Sequence, residues 1–334
     1  MSCTGIDRVI GGAHAPGKEK DNKMLVFDAE KISSIATMER LVACLQEAFS
    51  QEWEIPPRQV IGLPGNKHNR LVLTMPTFEQ SGGGAVKLLT VFPDNPVRGL
   101  PTIQGVVVLF SETGTPIAVL DGLMVTRLRT AAASALASKY LSRSDSAHLV
   151  VAGTGALAPY MAVAHCAVRP IQRISVWGRS TERAQATAQS IRSRVSGIEV
   201  EPADSLERAV AMADIVCCAT SSATPILEGH WLRPGTFVDL VGSFSPEARE
   251  SDDDVIRRAR IFVDTNIGAL AEAGDVLDPL RRGIITRDKI EGELSDLVCG
   301  RSTGRSGERE ITLFKSVGTA IEDLAAAKMI VASQ

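Results

Sequence analysis

From about residue 58 to 121, apolar and β-branched residues gather in short runs: "RLVLTMP", "AVKLLTVFP", "GVVVLF" and "PIAVLDG". Gly, Pro, Asn and Asp separate them, a punctuation that predicts a sheet of short strands, with "SETGTP" as the hairpin loop between the last two. Upstream, Met38 to Trp53 carries apolar positions at helical spacing and predicts an amphipathic helix over that sheet. Downstream, "VTRLRTAAASALASKYL" is a run of strong helix formers whose expected cap is Thr126.

The pattern changes at Ala147. "AHLVVAG", "RISVWG", "ADIVCCAT", "TFVDLVG" and "RIFVDT" are continuous apolar strands, and helices are predicted over Ala156 to Ala167 and Thr181 to Ser193. Apolar strands alternating with helices predict a parallel, doubly wound sheet covered on both faces. In "ITLFKSVGTAIEDLAAAKMIVAS", Phe314, Val317, Ile321 and Leu324 share one helical face. A helix there would return to the first region and make it discontinuous. The expected division is therefore α/β throughout: a Rossmann domain over residues 128–312, a second domain over 24–127 and 313–334, and a mobile, polar, glycine-rich arm over 1–23.

Composition narrows the class. The 334 residues are 44% hydrophobic and 22% charged, with a net charge of −3. Lys and Arg are scattered, which argues against a nucleic-acid surface. No apolar run reaches bilayer length, and no signal-peptide core is present, so a cytoplasmic protein without membrane attachment is expected. The six cysteines show no CxxC spacing and the five histidines are far apart, so the sequence proposes no metal site.

"GTGALA" supplies Gly153, Gly155 and Ala158, a GxGxxA form of the dinucleotide fingerprint. Gly153 would permit the tight turn, Gly155 would let the backbone approach a pyrophosphate, and Ala158 would allow close packing of helix on strand. Strand, turn, helix and second strand follow in the order the motif requires. The second strand ends in "VWGRSTER", where an NAD site usually has an acid. Arg179 beside Ser180 and Thr181 suits a 2′-phosphate, so NADPH is the expected cofactor, with NADH weaker. Alternatively, Ser180 or Thr181 caps the next helix and Arg179 is only solvated.

Lys87 stands inside an otherwise apolar strand, so it either faces solvent or meets an anion. Arg129 is expected in the first turn of the alanine-rich helix, where it would oppose the dipole unless a ligand carboxylate or a salt bridge balances it. These residues alone indicate an anionic small substrate and a nicotinamide cofactor.

From the first strands through "GTGALA", "VWGRS", "ADIVCCATSSATPIL" and "TLFKSVGTAIEDLAAAK", the chain resembles the ornithine cyclodeaminase and mu-crystallin family. The resemblance implies a homodimer in which the discontinuous domain binds substrate and dimerises. It implies that Arg58, Lys87 and Arg129 hold a substrate carboxylate and that Thr102 lies near the nicotinamide. Gly153, Thr154, Gly155, Ala156 and Leu157 match the family's phosphate turn, Arg179 and Ser180 its adenosine end, and Thr220, Ser221 and Gly242 its later cofactor contacts.

The cyclodeaminases of that family carry an aspartate in the stretch corresponding to "DLVGSFSPEARE". Here Ser243 and Phe244 take its place, and no carboxylate follows until Glu247. Phe244 can neither accept a proton nor bind an ammonium, but it can wall a pocket for a small cyclic imino acid. The resemblance thus implies a ketimine reductase converting Δ1-pyrroline-2-carboxylate or Δ1-piperideine-2-carboxylate to L-proline or L-pipecolate. The alternatives are an NAD-dependent ornithine cyclodeaminase acting on an amino acid, a dehydrogenase forming an amino acid, and a mu-crystallin-like binder of NADPH without turnover.

Overall fold

The strand and helix signals resolve into two sheets joined by one long helix. The computed structural model describes residues 23–63 and 70–334; the arm expected over residues 1–23 falls, except for Lys23, outside them. The first sheet is built from β1 (Leu25–Phe27), β2 (Gln59–Gly62), β3 (Leu71–Phe78), β4 (Gly84–Val91), β5 (Ile103–Phe110) and β6 (Pro116–Asp121). Its order is β1-β6-β5-β4-β3-β2, antiparallel except where β1 lies beside β6. The helices α1 (Ala29–Ile35) and α2 (Met38–Phe49) follow β1. Helix α2 ends before Trp53, whose indole N–H instead bonds the Ala48 carbonyl at 2.8 Å.

Strand alternation separates two faces of this sheet. Leu73, Met75, Ala85, Lys87, Leu89, Val107 and Leu109 point into the core, while Val72, Val86, Leu88, Val106 and Val108 point outward. Helix α3 (Gly122–Leu141) begins five residues earlier than expected. Asp121 caps it, accepting the Met124 N–H at 2.7 Å, and Thr126 lies within the helix with its hydroxyl donated to Gly122 O. A Cβ on Gly122 would stand 2.8 Å from the Gly105 backbone, so only glycine lets α3 start this close to β5. Arg129 is therefore two turns into α3 rather than in its first turn.

The second sheet contains β7 (His148–Ala152), β8 (Arg173–Trp177), β9 (Glu199–Pro202), β10 (Ile215–Cys218), β11 (Phe237–Leu240), β12 (Arg260–Val263), β13 (Ile290–Glu293) and β14 (Thr312–Lys315). All are parallel, in the order β13-β12-β14-β11-β10-β7-β8-β9. The chain runs from β7 outward through β8 and β9, then returns to place β10 on the other side of β7. The strand order reverses between β7 and β10, where doubly wound sheets open a ligand crevice. The helices between these strands are α4 (Ala158–Val168), α5 (Thr181–Arg192), α6 (Leu206–Val210), α7 (Asp253–Arg258), α8 (Asn266–Glu272), α9 (Gly274–Arg281) and α10 (Leu294–Val298).

The C-terminal segment departs from the single helix expected. Thr312–Lys315 is a fully buried central strand, Gly318 turns the chain with φ +85°, and only α11 (Ala320–Ala332) is helical. Four buried residues have no exposed partner positions, so helical spacing over Phe314 and Val317 was coincidental. Residues 313–315 thus sit in the second sheet, and the return to the first begins after Lys315. Helix α11 then packs on α2, α3 and β4.

A nucleotide cleft and a buried charge cluster on one sheet edge

Strands β8, β7 and β10 end beside one another, and the loops after them enclose a cleft of about 510 Å³. Gly153, Thr154, Gly155, Arg179, Ser180, Thr220 and Ser221 all line it, as the sequence suggested; Trp177 and Arg183 join them. Gly153 adopts φ +134°, and a Cβ there would stand 2.4 Å from Ala219 O. Gly155 has the opposite surroundings: a Cβ would meet nothing within 4 Å and would itself take up open cleft. One glycine thus makes the turn and the other leaves room for a phosphate, which fits a dinucleotide. Ala158, fully buried at the start of α4, permits the close packing of helix on sheet. Ala156 and Leu157 belong to this turn but do not line the cleft.

At the outer end, Arg179 and Arg183 are exposed and present two guanidiniums. Ser180 caps α5: its hydroxyl accepts the Arg183 N–H at 3.2 Å and donates to Glu182 at 2.6 Å. The capping alternative for Ser180 is therefore realised. Arg183 was missed because it looked like one more exposed helix residue. Its place in the first turn of α5, one turn beyond Arg179, was the available signal.

The three cations expected to hold a carboxylate converge on the turn before α11. Lys87 points inward, 1% exposed, with its ammonium 2.6 Å from Asp323. Burial lowers its pKa to about 8 despite that partner. Arg129 binds Glu322 at 2.6 Å and Asp323 at 3.2 Å. Burial opposes its charge, but the two carboxylates outweigh burial and raise its pKa. Burial lifts Glu322 to about 7 against the pull of Arg129. Arg58 binds Glu272 at 2.8 Å and the carbonyls of Val317 and Gly318 at 3.0 and 3.2 Å. Buried Asp264 fixes the same turn by accepting the Val317 and Gly318 N–H groups at 2.8 and 2.6 Å. Glu322 and Asp323 were overlooked in the sequence, although an acidic pair in the alanine-rich "AIEDLAAAK" is a signal for internal partners.

Arg58 lines a small recess of about 130 Å³ together with Met75, Glu272, Gly318 and Thr319. Lys87 and Arg129 do not line it; the Arg129 guanidinium packs against Gly318, where a Cβ would stand 2.4 Å from Nη1. Thr102 lies just before β5, its carbonyl accepting the Phe92 N–H at 2.7 Å, and borders neither recess nor cleft.

Between cleft and recess lies the loop after β11. Phe244 is 48% exposed there, while the Ser243 hydroxyl is turned to the Ala248 carbonyl. Glu247 is exposed and accepts from Ser245, so it does not replace the missing aspartate. Gly242 is outside the cleft lining; a Cβ on it would stand 2.1 Å from Thr220 O, so it serves the close approach of two loops. Buried Glu250 ties those loops together. One oxygen accepts Thr220 N and Oγ1 at 2.7 and 2.8 Å, and the other accepts Gly242 N and Ser243 N at 2.7 and 3.3 Å. Burial raises Glu250 to about 7, with Lys315 opposing and Asp275 adding to the shift. Lys315 itself bonds Ser243 O at 2.6 Å and lies 3.2 Å from Asp275.

The fold also gathers three residues that spacing kept apart. Ligating atoms of His165, Cys217 and Asp239 lie within 4.8 Å of one another in the core. Asp239 accepts from Ser134 at 3.0 Å and pairs with His165 at 3.2 Å, which accounts for its burial as a hydrogen-bonded group.

This geometry has close relatives. The ornithine cyclodeaminase/mu-crystallin family model matches residues 21–333. A Δ1-pyrroline-2-carboxylate reductase of Colwellia psychrerythraea is 39% identical over 313 residues, covering 92% of this chain and 98% of that one. The solved Δ1-pyrroline-2-carboxylate reductase of Thermococcus litoralis, in complex with NADH and L-proline, superposes with a TM-score of 0.88 at 34% identity, covering 93% and 97% of the two chains. An archaeal alanine dehydrogenase dimer with bound NAD gives 0.85 at 27% identity, over 93% and 95%. The chain therefore belongs to the ornithine cyclodeaminase/mu-crystallin family.

Proposed function

We propose that the protein uses NADPH to reduce a cyclic ketimine carboxylate, Δ1-pyrroline-2-carboxylate or its six-membered homologue, to L-proline or L-pipecolate. The observation that carries this reading is the order of features along one sheet edge. The glycine turn lies at β7, the Ser243–Phe244 loop at β11 and the Arg58 recess beside β14. From β8 to β14 is four strand spacings, about 19 Å, a span suited to an extended dinucleotide with its reactive end at the β11 loop.

The protein is an oxidoreductase of C=N bonds that works with a nicotinamide cofactor, and when bound that cofactor supplies the hydride. The chain supplies position and charge. Gly153, Gly155 and the N-terminus of α4 hold the pyrophosphate, and Arg179 with Arg183 suits the 2′-phosphate. Arg58 meets the substrate carboxylate, backed by Lys87 and Arg129. With no carboxylate at Ser243 or Phe244, the chain offers no group there to manage the amine of an open-chain diamino acid, whereas Phe244 shields an electrophilic carbon from water.

Cofactor absorbance tests the reading. Full-length protein with Δ1-pyrroline-2-carboxylate should oxidise NADPH and form L-proline, more slowly with NADH. Ammonia release from L-ornithine without imine reduction would establish a cyclodeaminase instead, and cofactor binding with no turnover of any imine would establish a binding protein.

A further inference from the structure

Glu250 is wholly buried, as are Lys315 and Asp275 near it, and none of the three lines the cleft or the recess. Burying charge is costly, and apolar contacts fasten a loop at less expense. What the Glu250 carboxylate binds is narrow: Thr220 N and Oγ1 through one oxygen, Gly242 N and Ser243 N through the other. The main chain of the same residue extends the junction. Its carbonyl accepts Ile226 N at 2.9 Å and Leu227 N at 3.0 Å, and its amide donates to Asp275 at 2.9 Å. Thr220, Ser222 and Ile226 line the nucleotide cleft, whereas Ser243 leads into exposed Phe244. One residue thus holds the loops of both ligands while lining the space of neither.

The junction has little slack. A Cβ on Gly242 would stand 2.4 Å from Glu250 Oε1, so only glycine lets the carboxylate reach both loops. Ser222 N donates to Thr220 Oγ1 at 3.2 Å, which carries the chain of bonds one residue further along the cleft. We propose that Glu250 is a positioning residue that couples the two ligands: with the cofactor lying along Thr220 and Ser222, its carboxylate holds the Ser243–Phe244 loop where Phe244 closes over the substrate. Ordering the first loop then orders the second, and substrate binds tightly only after the cofactor. The proposal rests on the reading of the protein as a reductase of a cyclic carboxylate. It needs both carboxylate oxygens as acceptors. Glu250→Gln keeps the shape but turns an NH2 donor against a backbone N–H, which releases one loop from the other.

The test uses the full chain at pH 8, where Glu250 is ionised, with NADP+ and pyrrole-2-carboxylate, a planar carboxylate that cannot be reduced. Calorimetry would measure pyrrole-2-carboxylate affinity with and without saturating NADP+. In wild type the cofactor should tighten it about tenfold, and in Glu250→Gln only about twofold. A merely structural role would weaken the ligand alike in both states and leave that ratio unmoved. Phe244→Ala should lower the ratio similarly, and adding Glu250→Gln to it should lower it no further, because Glu250 acts through Phe244. Should Glu250→Gln fail to fold, Thr220→Val decides in its place: it removes the hydroxyl bond alone and should cut the ratio about threefold. A folded variant, Glu250→Gln or Thr220→Val, with the full wild-type ratio overturns the proposal. So do additive losses in the double variant, and so does a wild type that binds pyrrole-2-carboxylate equally with and without NADP+, or not at all. Coupling that depends on Glu250, in a protein that reduces no cyclic imine, would sustain the proposal and defeat the functional reading alone.

Discussion

Arg179 and Lys87 show what one residue reveals before the fold is known. Arg179 was legible as a cleft residue because a motif sets its position: the loop after the second Rossmann strand borders the cleft. Arg179→Asp should move the preference from NADPH towards NADH, with NADPH affinity falling about 10- to 100-fold as one charge-assisted contact is lost and a repulsion is added. Because Arg183 shares the cleft, the complete reversal is expected only with Arg183→Ala as well. Dissociation constants for the two cofactors, unchanged by either substitution, would refute the assignment. Lys87 was only half legible. Its same-face neighbours Ala85 and Leu89 are no more apolar than Val86 and Leu88 on the other face, so alternation named two faces without choosing the core. Its partner Asp323 lies 236 positions along the chain, beyond any local pattern. Lys87→Met should abolish turnover and destabilise the fold by about 3 kcal/mol, the lower end for a broken buried pair because Arg129 still reaches Asp323. Adding Asp323→Leu should restore much of the stability in urea unfolding without restoring activity.

At the scale of elements, strands bounded by turn residues were legible, buried β7, β10 and β11 among them, and β14, which runs on into a helix-forming segment, was not. The strands β3 to β6 and the alternation from β7 to β8 announce themselves, whereas β14 looked like helix because nothing in four buried residues marks a period. The loops after β10 and β11 could not be foreseen as a unit, since Glu250 joins them only in space. That carboxylate yields a pH prediction. Burial raises it from 4.5 to about 7, so the folded chain binds its proton more tightly than the unfolded chain does. Its contribution to stability is complete below pH 4.5 and is lost as the pH climbs through about 7, a change of about 3 kcal/mol. Glu250→Gln removes this titration, so wild type should lose about that much more unfolding free energy between pH 4 and pH 8 than the variant. Equal losses in the two proteins would show that Glu250 does not titrate in this window.

For the whole molecule, the first sheet poses a question that one chain does not answer. Its inner face is covered by α3 and α11, with α1 over β6 and β1, but Val86, Leu88, Val106 and Val108 form an outer face nearly as apolar, with Leu88 41% exposed. An antiparallel sheet bathed by water on one side ordinarily alternates apolar with polar residues. An apolar patch spanning neighbouring strands marks an interaction surface. A second copy of the same chain, placing the same face against this one, would cover it by a twofold contact. The archaeal alanine dehydrogenase to which the chain is similar is a dimer. Leu88→Glu combined with Val108→Glu would bury four carboxylates in such an interface while leaving the inner face, the cleft and the recess untouched. Light scattering should then find wild type as a dimer and the double variant as a monomer. Cofactor affinity in the monomer should be retained, because the glycine turn and both arginines belong to the other sheet. A double variant that remains dimeric would assign the contact to a different surface and leave the apolar outer face to some other partner.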